Sequence, residues 1–241
     1  MKVAAYQAPL FPAGSMQGII SIRHQIDRCE SKGVEILCCP EAILGGLADY
    51  HPRPADIALN SRNGDLDKTL APLASNTVTT IVGFTEIDEE GRFFNSAAVY
   101  HRGAVAGLCR KRYPAIRKSI YDAGDQIPVF RVGGLTFGII ICNDSNYPEP
   151  ARILSGKGAT ALFFPTNNCL APEKADVCRF TRDADIARAV ENNLWVIRAD
   201  VAGKCDGMVS YGSSEIIDRA GKVVQAAQQF SEDLIIAELD G

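Results

Sequence analysis

The sequence predicts an α/β fold, a single domain built on mixed sheets, and three observations carry that prediction. Stretches of strand character alternate with stretches of helical spacing along all 241 residues. Hairpin turns interrupt the alternation, so the sheets are not purely parallel. No linker, low-complexity tract or internal repeat divides the chain. The composition, 46% hydrophobic and 22% charged with a formal net charge of −4, is that of a globular chain long enough to bury a sizeable core. The mild acidity gives no footprint for nucleic acid or for an anionic membrane surface, so neither is expected as a partner.

The elements follow in order. VAAYQA, residues 3–8, is a first strand, and MKVAAYQAPL lacks the long apolar core of a secretory signal. Residues 15–29 have helical spacing, with Ile19, Ile22 and Ile26 on one face. VEILCCP, residues 34–40, is a short buried strand; a loop with Gly45, Gly46, Pro52 and Pro54 follows, then a helix over about residues 66–74. TTIVGFTEI, RFFNSAAVY and AVAGLCRK form a meander through the turns DEEG and HRG. PVFRV and LTFGIII make a hairpin around Gly133 and Gly134. Residues 149–156 are a short helix, ATALFFPT (159–166) a strand, and 175–192 a helix with Phe180, Ala184, Ala187 and Val190 on one stripe. LWVIRADV, SSEIIDR, KVVQAA and LIIAEL finish the chain as strands.

Eight cysteines raise the question of a disulfide framework, but their spacing is irregular and Cys38 and Cys39 are adjacent in an apolar strand. No CxxC and no Cys/His zinc spacing occurs, so the thiols are expected reduced, the compartment cytoplasmic, and most of the cysteines core residues. No apolar run approaches the ~20 residues that span a bilayer. GxSxG and Walker-type phosphate loops are missing. GKGATA, residues 156–161, matches GxGxxA but follows a helix and enters a strand, the reverse of a dinucleotide site. Neither a metal nor an organic cofactor is expected.

Chemistry gathers at three strand ends, where ligands bind in α/β sheets. Glu41 follows VEILCCP, Lys111 follows AVAGLCR, and Cys142 follows LTFGIII. Each has a bland reading: a solvated loop residue, part of the charge run RKR, and a buried structural thiol. Together they supply what a histidine-free acyl-transfer site needs. His24 and His101 read as surface residues, and His51, in the HPRP loop, is the remaining partner for a Cys–His alternative.

These segments resemble the nitrilase-type carbon–nitrogen hydrolase family. CCPEAILGG is similar to its glutamate motif, CRKRYP to its lysine motif and GIIICNDSNYPEPARIL to its cysteine motif. GATALFFPTN, RAVENNLWVIRADVAG and GSSEIIDRAGKVV continue the likeness in register over essentially the whole chain. The resemblance implies a four-layer α-β-β-α sandwich and a homodimer or higher homo-oligomer. It implies that Cys142 is the nucleophile, Glu41 the base and acid, and Lys111 with a backbone N–H, that of Asn143, the oxyanion donors. A thiol is weakly ionised at neutral pH and needs such a base. Pro148 and Pro150 suit the first turn of the following helix, whose positive end is expected near the thiolate. No cofactor enters that chemistry.

One departure stands out. The family carries a second glutamate between the lysine and cysteine motifs, where this chain has Arg117 ahead of the turn YDAGD and no glutamate from Lys111 to Cys142. Arg117 is a candidate for an acidic substrate group, and Asp122 or Asp125 for the missing carboxylate. Amide specificity is expected from loops 44–56, 112–122 and 166–174, with Tyr113 and Asn167 as wall residues. The substrate expected is a small linear amide or N-carbamoyl compound. Two alternatives remain. One is a silent binding or regulatory module on the same fold. The other is a different cysteine hydrolase with an Asp–Lys–Cys site, which predicts an aspartate after the first strand where this chain has Gln7, Ala8 and Pro9.

Overall fold

A computed structural model of the chain describes residues 1–240, with side chains for all of these except 175–181. Along the chain run β1 (Lys2–Pro9), α1 (Gln17–Ser31), β2 (Ile36–Cys38), β3 (Leu59–Asn60), α2 (Asp65–Leu70), β4 (Thr79–Ile87), β5 (Phe93–His101) and β6 (Ala104–Arg110). There follow β7 (Val129–Val132), β8 (Leu135–Ile139), α3 (Pro148–Gly156), β9 (Ala161–Pro165), α4 (Cys178–Asn192), β10 (Trp195–Ala199), β11 (Val201–Cys205), β12 (Met208–Tyr211), β13 (Glu215–Ile217), β14 (Val223–Ala226) and β15 (Asp233–Glu238). The first sheet is ordered β12-β11-β1-β2-β4-β5-β6, with β15 also on β1 and β3 on β4; the second is β14-β13-β10-β9-β8-β7. Both are mixed: β1, β2 and β4 are parallel, as are β8, β9 and β10, and antiparallel strands flank each set.

Side-chain alternation stacks these sheets into a four-layer α-β-β-α sandwich. Val3, Ala5, Ile36 and Cys38 of the first sheet meet Phe137, Ile139, Phe163 and Ile197 of the second in one buried cluster. The residues between them in sequence, such as Ala4, Tyr6 and Leu37, turn the other way onto Ile22 and Ile26 of α1. On the far face Ile140, Leu162, Phe164 and Val196 pack with Ala151, Leu154 and Ala189 of α3 and α4. Strands buried on both faces are apolar throughout, which is why VEILCC and LTFGIII read as continuous runs. Among the described residues no helix is long and apolar enough to cross a membrane.

Several boundaries differ from expectation for identifiable reasons. The helix expected over 66–74 is α2 followed by a 3-10 turn at Ala71–Leu73, where Pro72 has no N–H to continue the α-helical ladder. LWVIRADV is two strands, because the chain crosses from the second sheet to the first at Asp200: β10 pairs with β9, and β11 pairs with β1. The Asp200 carboxylate anchors the crossing by accepting bonds from the Asn168, Val201 and Ser213 N–H groups at 3.0, 2.8 and 3.1 Å. β12, short and half polar, was not expected. The stripe expected on α4 is offset. Asp185, Arg188 and Ala189 are buried while Val190 is exposed, because the inward face answers a cation in β10; Phe180 lies outside the residues whose side chains are described.

Candidate functional site

The carboxyl end of β2 turns sharply through Pro40 and Glu41, and Ala42 takes a left-handed conformation at φ 47°. The Glu41 N–H donates to the Thr166 carbonyl at the end of β9, so this corner ties the two sheets together (3.2 Å). Gly83 in β4 makes the corner possible. A Cβ there would lie 2.5 Å from Ala42 N and from Pro40 O. Both are backbone atoms and cannot rotate away, so Gly83→Ala is expected to lower stability by about 1–3 kcal/mol, the range for overpacked cores. It should lower kcat/KM by more, on the order of 10²-fold, because it moves the Glu41 carboxylate. Urea unfolding beside kinetics checks this, and unchanged turnover would show that the Glu41 corner is not part of the chemistry.

Lys111 follows β6 and meets Glu41 between the sheets. Its ammonium donates to Glu41 Oε1 at 2.5 Å, and both side chains are buried. Asn95 of β5 donates to the same oxygen at 2.7 Å. Burial opposes the lysine's charge, but its acidic neighbours, the Glu41 carboxylate foremost, outweigh it and hold the ammonium protonated. Glu41 is its only hydrogen-bond acceptor among the described residues, which leaves two ammonium donors for a bound oxygen.

Cys142 sits where β8 has ended, at φ 47°, a left-handed conformation that costs a residue with a Cβ about 1–3 kcal/mol and collects at functional sites. A 3-10 turn, Cys142–Asn146, begins at this residue, and α3 starts only beyond Tyr147. The helix dipole expected to favour the thiolate is therefore displaced along the chain. Burial pushes the Cys142 thiol up to about 12, as does the Glu41 charge, against the opposing pull of Lys111, Arg198 and the Asn167 backbone N–H. At neutral pH the thiol carries its proton. The Asn143 N–H belongs to the first turn, where backbone donors have no partner in the helix. The Asn143 side chain donates to the Tyr113 carbonyl at 3.0 Å.

Two residues not singled out in the sequence brace this elbow. Asp144, buried, accepts bonds from the Arg112, Tyr113 and Ile141 N–H groups at 3.2, 2.7 and 3.3 Å, which joins the lysine loop to the cysteine loop. Burial pushes its carboxyl up to about 6, against Lys111 and those three N–H groups. Arg198, in the middle of β10, pairs with Asp185 of α4 and donates to Thr166 Oγ1 at 3.2 Å and Ser145 Oγ at 3.4 Å. The signal for it was present: an arginine inside an apolar strand requires a buried partner.

The remaining candidates separate. Asn167 donates to the Glu41 carbonyl at 3.2 Å and lines a cavity of about 300 Å³ beside the pair. Tyr113 stacks on Tyr147, ring centroids 3.9 Å apart, and its hydroxyl donates to Glu149. Arg117 is exposed, and neither it nor Tyr113 lines the cavity. Asp122 donates its N–H to the Phe93 carbonyl at 2.8 Å and is exposed, as is Asp125. His51 is engaged with its own loop through the Arg53 carbonyl at 2.9 Å. Among the described residues no histidine hydrogen-bonds to Cys142. Tyr50, on the cavity wall, has its hydroxyl pushed up by burial and then by the charge of Asp49.

Comparison with known proteins adds to this geometry. The sequence model of the family described as Carbon-nitrogen hydrolase matches residues 2–241. A Pseudomonas protegens protein described as a hydrolase in the pqqF 5' region is 29% identical over 250 residues, covering 100% of this chain and 83% of that one. An (R)-stereoselective amidase from Pseudomonas sp. is 30% identical over 209 residues, covering 86% of this chain and 73% of the amidase. Among solved structures, a Saccharomyces cerevisiae member of branch 10 of the nitrilase superfamily superposes with a TM-score of 0.84 at 21% identity, over 100% of this chain and 90% of that one.

Proposed function

The chain belongs to the carbon–nitrogen hydrolase family of the nitrilase superfamily, and on that premise we propose that it hydrolyses the C–N bond of a small linear amide or N-carbamoyl compound through a thioester on Cys142. The observation that carries the proposal is the buried Lys111–Glu41 pair at 2.5 Å, whose charges act directly on the Cys142 thiol in its left-handed elbow. A carboxylate and an ammonium taken out of water this completely are costly, and a purely structural role is served as well by apolar residues. The similarity to an amidase supports the same reading.

The steps follow from residue types. The protonated thiol cannot attack, so Glu41 takes its proton as Sγ bonds to the carbonyl carbon. The oxygen that becomes negative is met by Lys111 and by the Asn143 N–H, and one such donor contributes about 3 kcal/mol. Glu41 returns the proton to the departing nitrogen, and the C–N bond breaks as ammonia or amine leaves. It then deprotonates a water that attacks the thioester, releases the acid or carbamate and restores the thiol.

The test is ammonia release from a panel of small amides, ω-amides, N-carbamoyl amino acids and nitriles, with Cys142→Ala as control. Release that disappears in the variant is the expected result. A second reading, a silent module on this fold, draws on Arg117 standing where the family has a glutamate. A folded protein that releases nothing from any compound, and whose Cys142 resists alkylation, would favour it.

A further inference from the structure

The cavity that begins at Asn167, whose backbone N–H acts on the Cys142 thiol, carries information about the acyl chain. It opens from Ala42 and Asn167, next to the buried pair, and its walls are largely apolar: Leu10, Phe11, Leu47, Val201 and Met208. Among the described residues one charged side chain lies on its wall, that of Asp206. Asp206 sits exposed in the turn between β11 and β12, at φ 49°, and burial and then its charge push the neighbouring Cys205 thiol up. Lys204 borders the adjoining hollow and not this cavity. Among the described residues neither lysine, arginine nor histidine lines it, Arg117 included.

Such a wall discriminates by charge. A substrate with a carboxylate at the end of its acyl chain would bring an anion towards Asp206, in a cavity on whose wall no cation lies among the described residues. Asp206 is exposed at the turn, so the like charges repel through partly screened solvent, and whatever part of the anion leaves water against the apolar wall finds no partner there. A chain ending in a cation meets the reverse situation: its methylenes lie against the apolar wall and its charge finds the one carboxylate at the turn. Resting on the hydrolase reading above, we propose that this site accepts amides whose acyl chain is apolar and ends in a cation, with Asp206 as the residue that reads that end. Carboxylate-ended chains, N-carbamoyl α-amino acids and the monoamides of dicarboxylic acids among them, are rejected.

Three amides of one chain length test this: hexanamide, its ω-amino derivative and the monoamide of adipic acid. The expected order in kcat/KM is ammonium-ended, then neutral, then carboxylate-ended. The first step should be about threefold to tenfold, the range of a partly exposed ion pair. In Asp206→Asn the ratio of ammonium-ended to neutral should fall to about one, and in Asp206→Lys the carboxylate-ended amide should gain most. Raising the salt concentration should erode the wild-type ratio. Binding of the same three amides to Cys142→Ala, read by calorimetry, gives the order without turnover. If the binding order holds while the wild type hydrolyses nothing, the hydrolase reading fails and the selectivity stands. If the carboxylate-ended amide is preferred, or the ratio is unmoved by Asp206→Asn, the proposal is overturned whatever the turnover.

Discussion

Glu41→Gln is expected to abolish turnover while making Cys142 more reactive toward alkylating agents. The two effects have one origin. The thiol is pushed up to about 12 by burial and then by the Glu41 charge, with Lys111, Arg198 and the Asn167 N–H pulling the other way. Replacing the carboxylate by an amide removes one of the upward contributions and leaves every downward one. Lys111, its counter-charge at 2.5 Å gone, becomes a buried cation whose nearest available anion is the thiolate. Alkylation by iodoacetamide at about pH 8 should therefore accelerate at least about tenfold, the effect of one unit of thiol pKa. In the wild type the alkylation rate should keep climbing with pH into the alkaline range without levelling. Turnover moves the opposite way under the proposed mechanism, which leaves no other group to take the thiol proton, serve the leaving nitrogen and activate water; general acid–base catalysis is worth about 10²- to 10⁴-fold. A variant that is alkylated more slowly than wild type would show that Glu41 does not act on Cys142. One that still turns over would place the base elsewhere.

Much of this site was legible because each of its three residues closes a strand. VEILCCP, AVAGLCR and LTFGIII are apolar runs, and a polar residue directly after such a run marks the rim where the sheets present their carboxyl ends. The layers were legible for a related reason: period-two alternation separates Val3 and Ala5 from Ala4 and Tyr6, and the two sets face different neighbours. The crossing at Asp200 was hidden, since LWVIRADV is one continuous strand by periodicity and only the pairing partners divide it. The cavity wall was missed with it. Loops 44–56 and 166–174 do supply part of that wall, but Leu10 and Phe11 follow β1, and Val201 to Met208 belong to a hairpin whose second strand was not foreseen. Asn95 and Asp144 act through hydrogen bonds to groups far along the chain, and nothing local distinguishes them from a strand residue and a turn residue. The offset of α4 is of the same kind. Counting apolar residues selected the stripe through Val190, whereas the buried face is set by what Asp185 has to neutralise.

That ion pair supports the second large effect. Arg198 and Asp185 are both almost wholly buried. Burial opposes the guanidinium's charge, but the carboxylate outweighs it and keeps the cation. Arg198→Met alone strands a buried carboxylate, and Asp185→Asn alone strands a buried guanidinium, so each is expected to cost about 3–5 kcal/mol of unfolding free energy. Replacing both, Arg198→Met with Asp185→Leu, should cost clearly less than the sum, because the stranded charge is what makes each single change expensive. Urea denaturation of the three variants measures this, and additive losses below about 1 kcal/mol each would mean the pair is solvated in practice. The same variants separate support from charge. Arg198 also donates to Ser145 in the cysteine turn and to Thr166, whose carbonyl receives the Glu41 N–H. A role limited to bracing that corner predicts that all the variants disturb Cys142 alike. A role for the guanidinium's charge predicts that Arg198→Met slows alkylation of Cys142, while Asp185→Asn, which leaves the cation in place, does not. The second outcome is expected, because Arg198 is one of the two cations that pull the thiol downward and the only one not already paired with Glu41.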